Sequence, residues 1–543
     1  MSYFQNLREF LSRLEELGRL RRISAPVDKD RELHPLVKWQ YRGLEEAERF
    51  GFVFDHVVDR HGRRYNGHVA SSVIAANREM YALAVGCPLD QLQARWTQAL
   101  SNRVPPKKVS RATVKEEVHK GSTLLEHEGL REFPIPIATN GWEAFPRITA
   151  AAFFTRDPEL GTMNAGMYNS IVLGPLRANI RTSRHLRNHW HKCRKLGKPL
   201  EVAAVIGALP VVSFTAATNI PDGISELDVA GGLVGEPLEV ISCETVDLEI
   251  PAAAEIVIEG EIPTDLMDRD GPSGENRGHV MPGHLVHAFQ VKCITHRRNP
   301  IWHDIICQFP PSESSVMRAV NCEGQVSALL QAHGISYVAD VAFNHCGSAK
   351  HFCVIRLRDI QGRHFSNGQV WHALFTVLAA DAGWPKIVIA VNEDIDPWDL
   401  ESVFWAVINR SQPHRDIKII QGRSAGLDES LGPRDALSPE FSYLSSANGP
   451  QGASGMLIDA TLKWANPPIS LPRKEYMERG RDLWEQLGLP KLNPKAPWYG
   501  VSLGHWTEEE QKLVDLAEQG RVDEAAQILL GQSQKLESLN RRK

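Results

Sequence analysis

The sequence predicts a multidomain α+β chain: a β-rich centre flanked by α/β regions, followed by a helical tail. Three observations carry this. At 543 residues the chain is too long for one core, so it divides into domains. Between about residues 115 and 320, short apolar runs alternate with Gly/Pro turns at a density that suits a barrel or sandwich. On either side, helical periodicity alternates with isolated strands. The boundaries read as 1–112 for an N-terminal α/β domain, 113–322 for the β-rich domain, 323–466 for a C-terminal α/β domain, and 467–543 for a helical tail suited to oligomer contact.

In chain order, Leu7, Phe10, Leu11, Leu14 and Leu17 recur at helical spacing, with Gly18 placed to end the helix. Leu20 to Ile23 follows as a strand. Pro105-Pro106-Lys107-Lys108 marks the first boundary. In the centre, Ile148 to Thr155, Ala203 to Ile206 and Val211 to Phe214 are apolar runs read as strands. Ala254-Glu-Ile-Val-Ile-Glu-Gly260 alternates as a half-buried strand should. Further on, Lys386-Ile-Val-Ile-Ala-Val391 is a buried strand. Asp396 and Asp399 read as caps of a helix from Asp399 to Asn409. Asn466-Pro-Pro468 breaks the chain, Thr507 and Glu510 form a capping box, and Gly520 and Asp523 divide two short helices.

Composition narrows the function. Hydrophobic residues make up 42% and charged residues 23%, as in an ordinary globular protein. A net charge of −5 without a basic block argues against nucleic acid or an anionic membrane as the main partner. The eight cysteines form no C-x-x-C pair, which disfavours structural zinc on cysteine and a disulfide framework. The N-terminus lacks a basic-then-apolar signal pattern, and the expected location is the cytoplasm. No G-x-G-x-x-G follows a strand, and Walker A, H-E-x-x-H and G-x-S-x-G motifs are absent.

Asp270-Gly-Pro-Ser-Gly-Glu275 is the segment richest in chemistry. Two carboxyls flank a Gly-Pro-x-Gly turn in which Pro272 fixes one φ, while Gly271 and Gly274 permit unusual backbone shapes. Such a turn can aim both acids at one point. Two acids in a dry site resist joint ionisation, so one can keep a proton near neutral pH. The plain alternative is a solvated turn between strands. Upstream, Arg184-His-Leu-Arg-Asn-His189-Trp-His191 places His185 and His189 one helical turn apart, where they could share a metal or simply face water. Asn164, in Asn164-Ala-Gly-Met-Tyr-Asn169, and Glu226, after Asn219-Ile-Pro-Asp-Gly-Ile-Ser, complete a different set with His185. An amide oxygen, an imidazole and a carboxylate suit Mn²⁺ or Mg²⁺, with phosphate oxygens filling the shell.

The ordered series Asn164…Arg181-Thr-Ser-Arg-His185…Pro221-Asp-Gly-Ile-Ser-Glu226…Ala254-Glu-Ile-Val-Ile-Glu-Gly260…Asp270-Gly-Pro-Ser-Gly-Glu275 resembles the UbiD family of decarboxylases. Asn6-Leu-Arg-Glu-Phe-Leu…Gly18-Arg-Leu and Met456-Leu-Ile-Asp-Ala-Thr461 resemble it too, and the similarity covers nearly all of the first 465 residues. The resemblance implies a central split β-barrel, related to flavin-reductase barrels, that binds prenylated FMN. It implies a divalent metal, usually Mn²⁺ with Mg²⁺ or Fe²⁺ as alternatives, held by Asn164, His185 and Glu226, and often a K⁺ nearby. Flavin contacts carry over to Asn164, Met167, Tyr168, Asn169, Arg181, Thr182, Ser183, Arg184, His185 and Glu226. Glu275 matches the proton donor and Asp270 its acidic partner. The implied partners are a flavin prenyltransferase that supplies the cofactor, an aromatic acid and CO₂, and further copies of the chain in a homodimer or homohexamer.

One position departs from the family pattern. Asn169 stands where the family usually has an Arg that links flavin and acids, which predicts a Glu275 that is more readily protonated for want of a guanidinium. The expected activity is reversible, non-oxidative decarboxylation of an aromatic or heteroaromatic acid. Two alternatives stand beside it: decarboxylation of an aryl-CoA thioester, and a cofactor-binding subunit of a larger carboxylase.

Overall fold

The computed structural model describes residues 3–221, 223–358, 367–423, 428, 430 and 453–533, without the side chains of Arg184 and Asn367. The chain packs as two compact units. The first takes residues 1–355, 372–389 and 418–458; the second takes 356–371, 390–417 and 459–543.

The first unit opens with helix α1 (Leu7–Glu16), capped by Asn6, whose Oδ1 accepts the Glu9 N–H at 3.1 Å. Leu7, Phe10, Leu11 and Leu14 are buried as the spacing predicts, while Leu17 falls on the C-terminal cap and is exposed. Strands β1 (Leu20–Ile23), β2 (Gly51–Phe54) and β3 (His68–Ser71) follow.

The β-rich centre contains β4 (Glu117–Lys120), β5 (Arg147–Ile148), β6 (Ala152–Arg156), β7 (Met163–Met167), β8 (Ser170–Gly174) and β9 (Arg177–Ile180). After these come helix α2 (Arg184–Lys195), β10 (Leu200–Ile206), helices α3 (Pro210–Ala216) and α4 (Glu226–Val234), β11 (Ile256–Ile262) and β12 (Met267–Arg269). The short pair β13 (Ser273–Gly274) and β14 (Val280–Met281) precedes the long strand β15 (Leu285–His296). Ten of these strands form one antiparallel sheet. Its path runs β7-β6-β10-β11-β15-β9-β8-β5, with β4 and β12 also paired to β15, and among the described residues its ends are not joined to each other. Strand β16 (Ile301–Asp304) then leaves the centre and completes an N-terminal sheet of order β1-β2-β3-β16.

Two readings change in this region. Val211 to Phe214 lies inside the helix α3, not in a strand: Pro210 occupies the first turn, and every residue from Pro210 to Ala216 is buried. A fully buried run carries no periodicity, so its apolar character could not distinguish helix from strand. Strand β11 is covered on both faces rather than one. Ile256, Ile258 and Ile262 join one hydrophobic core and Val257 the other, and the neighbouring β10 divides its side chains the same way. The acids of that stretch are buried with partners. Glu255 is bound bidentately by Arg8 at 2.8 and 2.7 Å, and Glu259 accepts from Glu244 N–H and Thr245 N–H at 2.8 and 2.7 Å. Gly260 marks a bulge against β15, where a Cβ would lie 2.0 Å from the Gln290 carbonyl oxygen.

Helix α5 (Glu313–Ala332) starts at a capping box of Ser312 and Ser315. A five-stranded sheet follows from β17 (Val338–Phe343), β18 (Phe352–Leu357), β19 (Ile387–Val391), β20 (Ile417–Arg423) and β21 (Ala453–Asp459), in the order β17-β18-β19-β21-β20.

In the second unit, helix α6 (Leu400–Arg410) begins after Asp399, but Asp399 makes no side-chain cap. Asp396 does the local work instead, accepting the Trp398 N–H at 2.9 Å. The tail holds α7 (Lys474–Gln486), α8 (Glu508–Glu518), opened by the expected Thr507–Glu510 box, and α9 (Val522–Gly531). No helix among the described residues is long and apolar enough to cross a membrane.

Candidate active site

The hexapeptide from Asp270 to Glu275 carries the first strand of a short hairpin and is not a solvated turn. Strand β13 pairs with β14, Glu275 N–H donates to His279 O at 2.8 Å, and Gly278 closes the loop at φ +101°. Asp270 and Glu275 are only 4% and 5% exposed. Packing around Gly274 explains the missing side chain there: a Cβ would lie 2.2 Å from Thr139 Oγ1 and 2.8 Å from Gln308 Cγ. The Gly274 N–H donates to Glu143 Oε1 at 2.6 Å, and Glu143 is in turn held by the buried Arg147 at 3.0 Å.

Both acids meet one guanidinium. Arg181 donates from Nε to Asp270 Oδ2 and from Nη1 to Glu275 Oε1, and Ser273 Oγ adds a bond to Glu275 Oε1 at 3.2 Å. The expectation that Asn169 leaves the acids without a cation is therefore corrected. Asn169 lies between β7 and β8, and its carbonyl accepts the Arg181 N–H at 3.0 Å. With Val172 opposite Ala178 in the β8–β9 hairpin, positions 169 and 181 face each other across the ladder. The charge is present, carried on the facing strand. Asp270 Oδ1 and Arg181 Nη2 are buried without a hydrogen-bond partner among the described residues, which leaves one acceptor and one donor for a ligand.

Asn164, His185 and Glu226 line one cavity of about 190 Å³, together with Met167, Tyr168 and Ser183. His185 Nδ1 lies 2.6 Å from Asn164 Oδ1, and Glu226 Oε2 accepts the Ala165 N–H at 2.8 Å. Burial pushes the Glu226 carboxyl up to about 8, against the hydrogen bonds from the backbone N–H groups of Ala165 and of Glu226 itself. Asn164 Nδ2 has no partner among the described residues. An underpaired amide beside a desolvated carboxyl and an imidazole fits a divalent cation, which would compensate both. His189 does not share this site. Asn164 and Thr155 are cross-strand partners, and the two histidines each take one: His189 Nδ1 lies 2.9 Å from Thr155 Oγ1. Thr182 turns its hydroxyl toward His287 Nδ1 at 2.9 Å and is buried. The Arg184 side chain and Asp222 lie outside the described residues.

Glu275 opens onto a second cavity of about 160 Å³, lined also by Lys38, Tyr41, Arg42 and His279. Sequence reasoning missed what borders these two spaces. Arg318, Lys350 and Trp384 line the cavity of the Asn-His-Glu set. Burial pushes the Arg318 guanidinium down, opposed by Cys322, then Cys307 and, least, Glu275. Arg318, Lys350 and Trp384 come from α5 and the turns beside β18 and β19, far along the chain. Only the helical phase of α5, with Arg318 and Cys322 four apart, hinted at a shared face.

Residues 107–310 match the Rift-related domain of the 3-octaprenyl-4-hydroxybenzoate carboxy-lyase (UbiD) family, and residues 315–460 match its C-terminal domain. An uncharacterized protein of Archaeoglobus fulgidus is 29% identical over 486 residues, covering 85% of this chain and 92% of that one. Among solved structures, the UbiD-class enzyme HmfF from Pelotomaculum thermopropionicum, in an evolved dimeric form in complex with prFMN, superposes with a TM-score of 0.73 at 29% identity; the match covers 87% of this chain and 98% of that chain. The closed form of Sedimentibacter hydroxybenzoicus vanillic acid decarboxylase gives a TM-score of 0.72 at 25% identity, over 90% of this chain and all of the other (100%). The two matched regions run almost without a gap from residue 107 to residue 460, and the chain belongs to the UbiD family.

Proposed function

We propose that this protein is a prenylated-FMN-dependent carboxy-lyase acting reversibly on an aromatic or heteroaromatic acid. The observation that carries the reading is the buried Asp270–Arg181–Glu275 cluster. Its family membership and its likeness to a prFMN-bound enzyme support the cofactor. In this reading the central sheet is the framework of the split barrel. Asn164, His185 and Glu226 would hold Mn²⁺ or a similar divalent ion against the cofactor phosphate, with Lys350 and Arg318 adding positive charge on the same cavity. When bound, the modified flavin supplies an electron sink for the carbon that loses CO₂.

The chain's own residues handle position and protons. Arg181 fixes both carboxyls with a planar fork, which a point charge could not do. With both acids ionised, one guanidinium leaves a net negative charge in a buried place, and a single added proton cancels it. Glu275 hands that proton to the carbon vacated by CO₂, and takes it back in the reverse direction. Its Oε1 is engaged by Arg181 and Ser273, so Oε2 is the delivering atom.

The test is Glu275→Gln, made by co-expression with a flavin prenyltransferase and assayed for CO₂ release across a series of aromatic acids. The variant keeps the flavin absorbance, while turnover falls by roughly 10²–10⁴-fold, the usual contribution of a general acid. Native-like turnover would reject Glu275 as the donor.

A further inference from the structure

A second cluster of metal-ligating side chains lies outside the flavin and acid sites. His119 on β4 faces Ile294 of β15, so His119 and His296 project from the same face of the sheet. Glu132 ends the short helical turn Gly129–Glu132 and meets both rings. His119 Nδ1 is 3.2 Å from Glu132 Oε2, and His296 Nε2 is 3.6 Å from Glu132 Oε1. The ligating atoms of the three residues all lie within 4.8 Å of one another, and this is the one such His/Cys/Asp/Glu group among the described residues.

We propose that His119, Glu132 and His296 form a Zn²⁺ site, with water in the fourth position, that clips the stretch from β4 to Glu132 onto β15. Three features argue for this. Zn–N and Zn–O bonds of about 2.0–2.2 Å place tetrahedral ligands about 3.3–3.5 Å apart, and each histidine nitrogen stands close to that distance, 3.2 and 3.6 Å, from an oxygen of the Glu132 carboxylate, a different oxygen for each ring. The His296 tautomer is set: Nδ1–H donates to Arg297 O at 2.8 Å, which leaves Nε2 with its lone pair. His119 Nδ1, His296 Nε2 and Glu132 Oε2 are buried and make no hydrogen bond, and a cation at their centre would compensate all three. This set shares no residue with Asn164, His185 and Glu226.

The full-length chain, stripped with a chelator and dialysed, is titrated with Zn²⁺ alone in a calorimeter. The native protein and Glu226→Gln each bind one tight Zn²⁺ that Glu132→Gln and His296→Gln weaken by tenfold or more. Zn²⁺ raises the melting temperature of the native chain but not of Glu132→Gln, and Co²⁺ in its place gives the visible spectrum of a four-coordinate site. Circular dichroism in chelator checks that each variant folds; if His296→Gln does not, the isosteric Glu132→Gln decides alone. Zn²⁺ binding unchanged in Glu132→Gln, or no tight Zn²⁺ on the native chain, would overturn the site.

Discussion

Arg181 joins two buried acids through one side chain. Its guanidinium meets two carboxyls at once, and its own N–H is pinned by Asn169 across the hairpin. Lysine at this position keeps the charge but loses the planar fork, so it can hold only one acid well. A hydrogen bond to a charged group is worth about 1.5–3 kcal/mol, so Arg181→Lys lowers kcat by roughly 10–150-fold. Flavin occupancy, read by absorbance, stays high in this variant; a loss of flavin instead would make Arg181 a cofactor anchor rather than an acid-positioning group. Because positions 169 and 181 face each other, exchanging them tests the ladder argument. Asn169→Arg combined with Arg181→Asn recovers part of the turnover that Arg181→Asn alone removes, and no recovery would mean that only position 181 can aim the fork. The identity of both residues was legible in the sequence. Their opposition was not, because it depends on a hairpin register that passes through an irregularity between Val172 and Gly174.

At the scale of elements, legibility followed exposure. Helix α1 shows its periodicity because only one face is buried, and Thr507–Glu510 announces α8 through a local side-chain bond. Helix α3 hid among strands because every side chain in it is buried. The start of α5 holds a less visible device. Glu313 is fully buried there, and its Oε1 accepts the N–H groups of Ile74 and Ala75 at 3.0 and 3.2 Å, while Oε2 has no partner among the described residues. Burial raises its carboxyl to about 8, with those backbone bonds opposing. A carboxyl raised on folding binds its proton more tightly in the native state, so it subtracts stability as pH rises from about 4.5, its unfolded value, to about 8. Glu313→Gln keeps the acceptor oxygen and cannot ionise. Its melting temperature therefore falls less than that of the native chain between pH 5 and pH 8, and parallel melting curves across that range would refute the assignment.

At the scale of the whole molecule, the ordered motifs gave the site's parts, while the cavity that borders them gathers residues from β7, α2, α4, α5 and the turns before β18 and β19. No local pattern encodes such a gathering, which is why Arg318 and Lys350 escaped notice. The second unit raises a different question, since its tail has little core of its own. Helix α7 has no buried residue, α8 buries only Leu516 and α9 only Ala525. Leu483 and Leu487, one turn apart on and just after α7, are 55% and 64% exposed, and Leu530 is 71% exposed. Apolar groups clustered in this way cost free energy in water unless something covers them. The expected cover is a second copy of the chain. Leu483→Glu with Leu487→Glu would place charge in that contact, so light scattering after size-exclusion chromatography reports a smaller assembly than the native chain forms. Flavin binding is expected to be retained, since neither residue borders the cavity of Asn164, His185 and Glu226. A native chain that runs as a monomer, or a double variant of unchanged mass, would remove the tail as an assembly surface while leaving the acid cluster and its chemistry untouched.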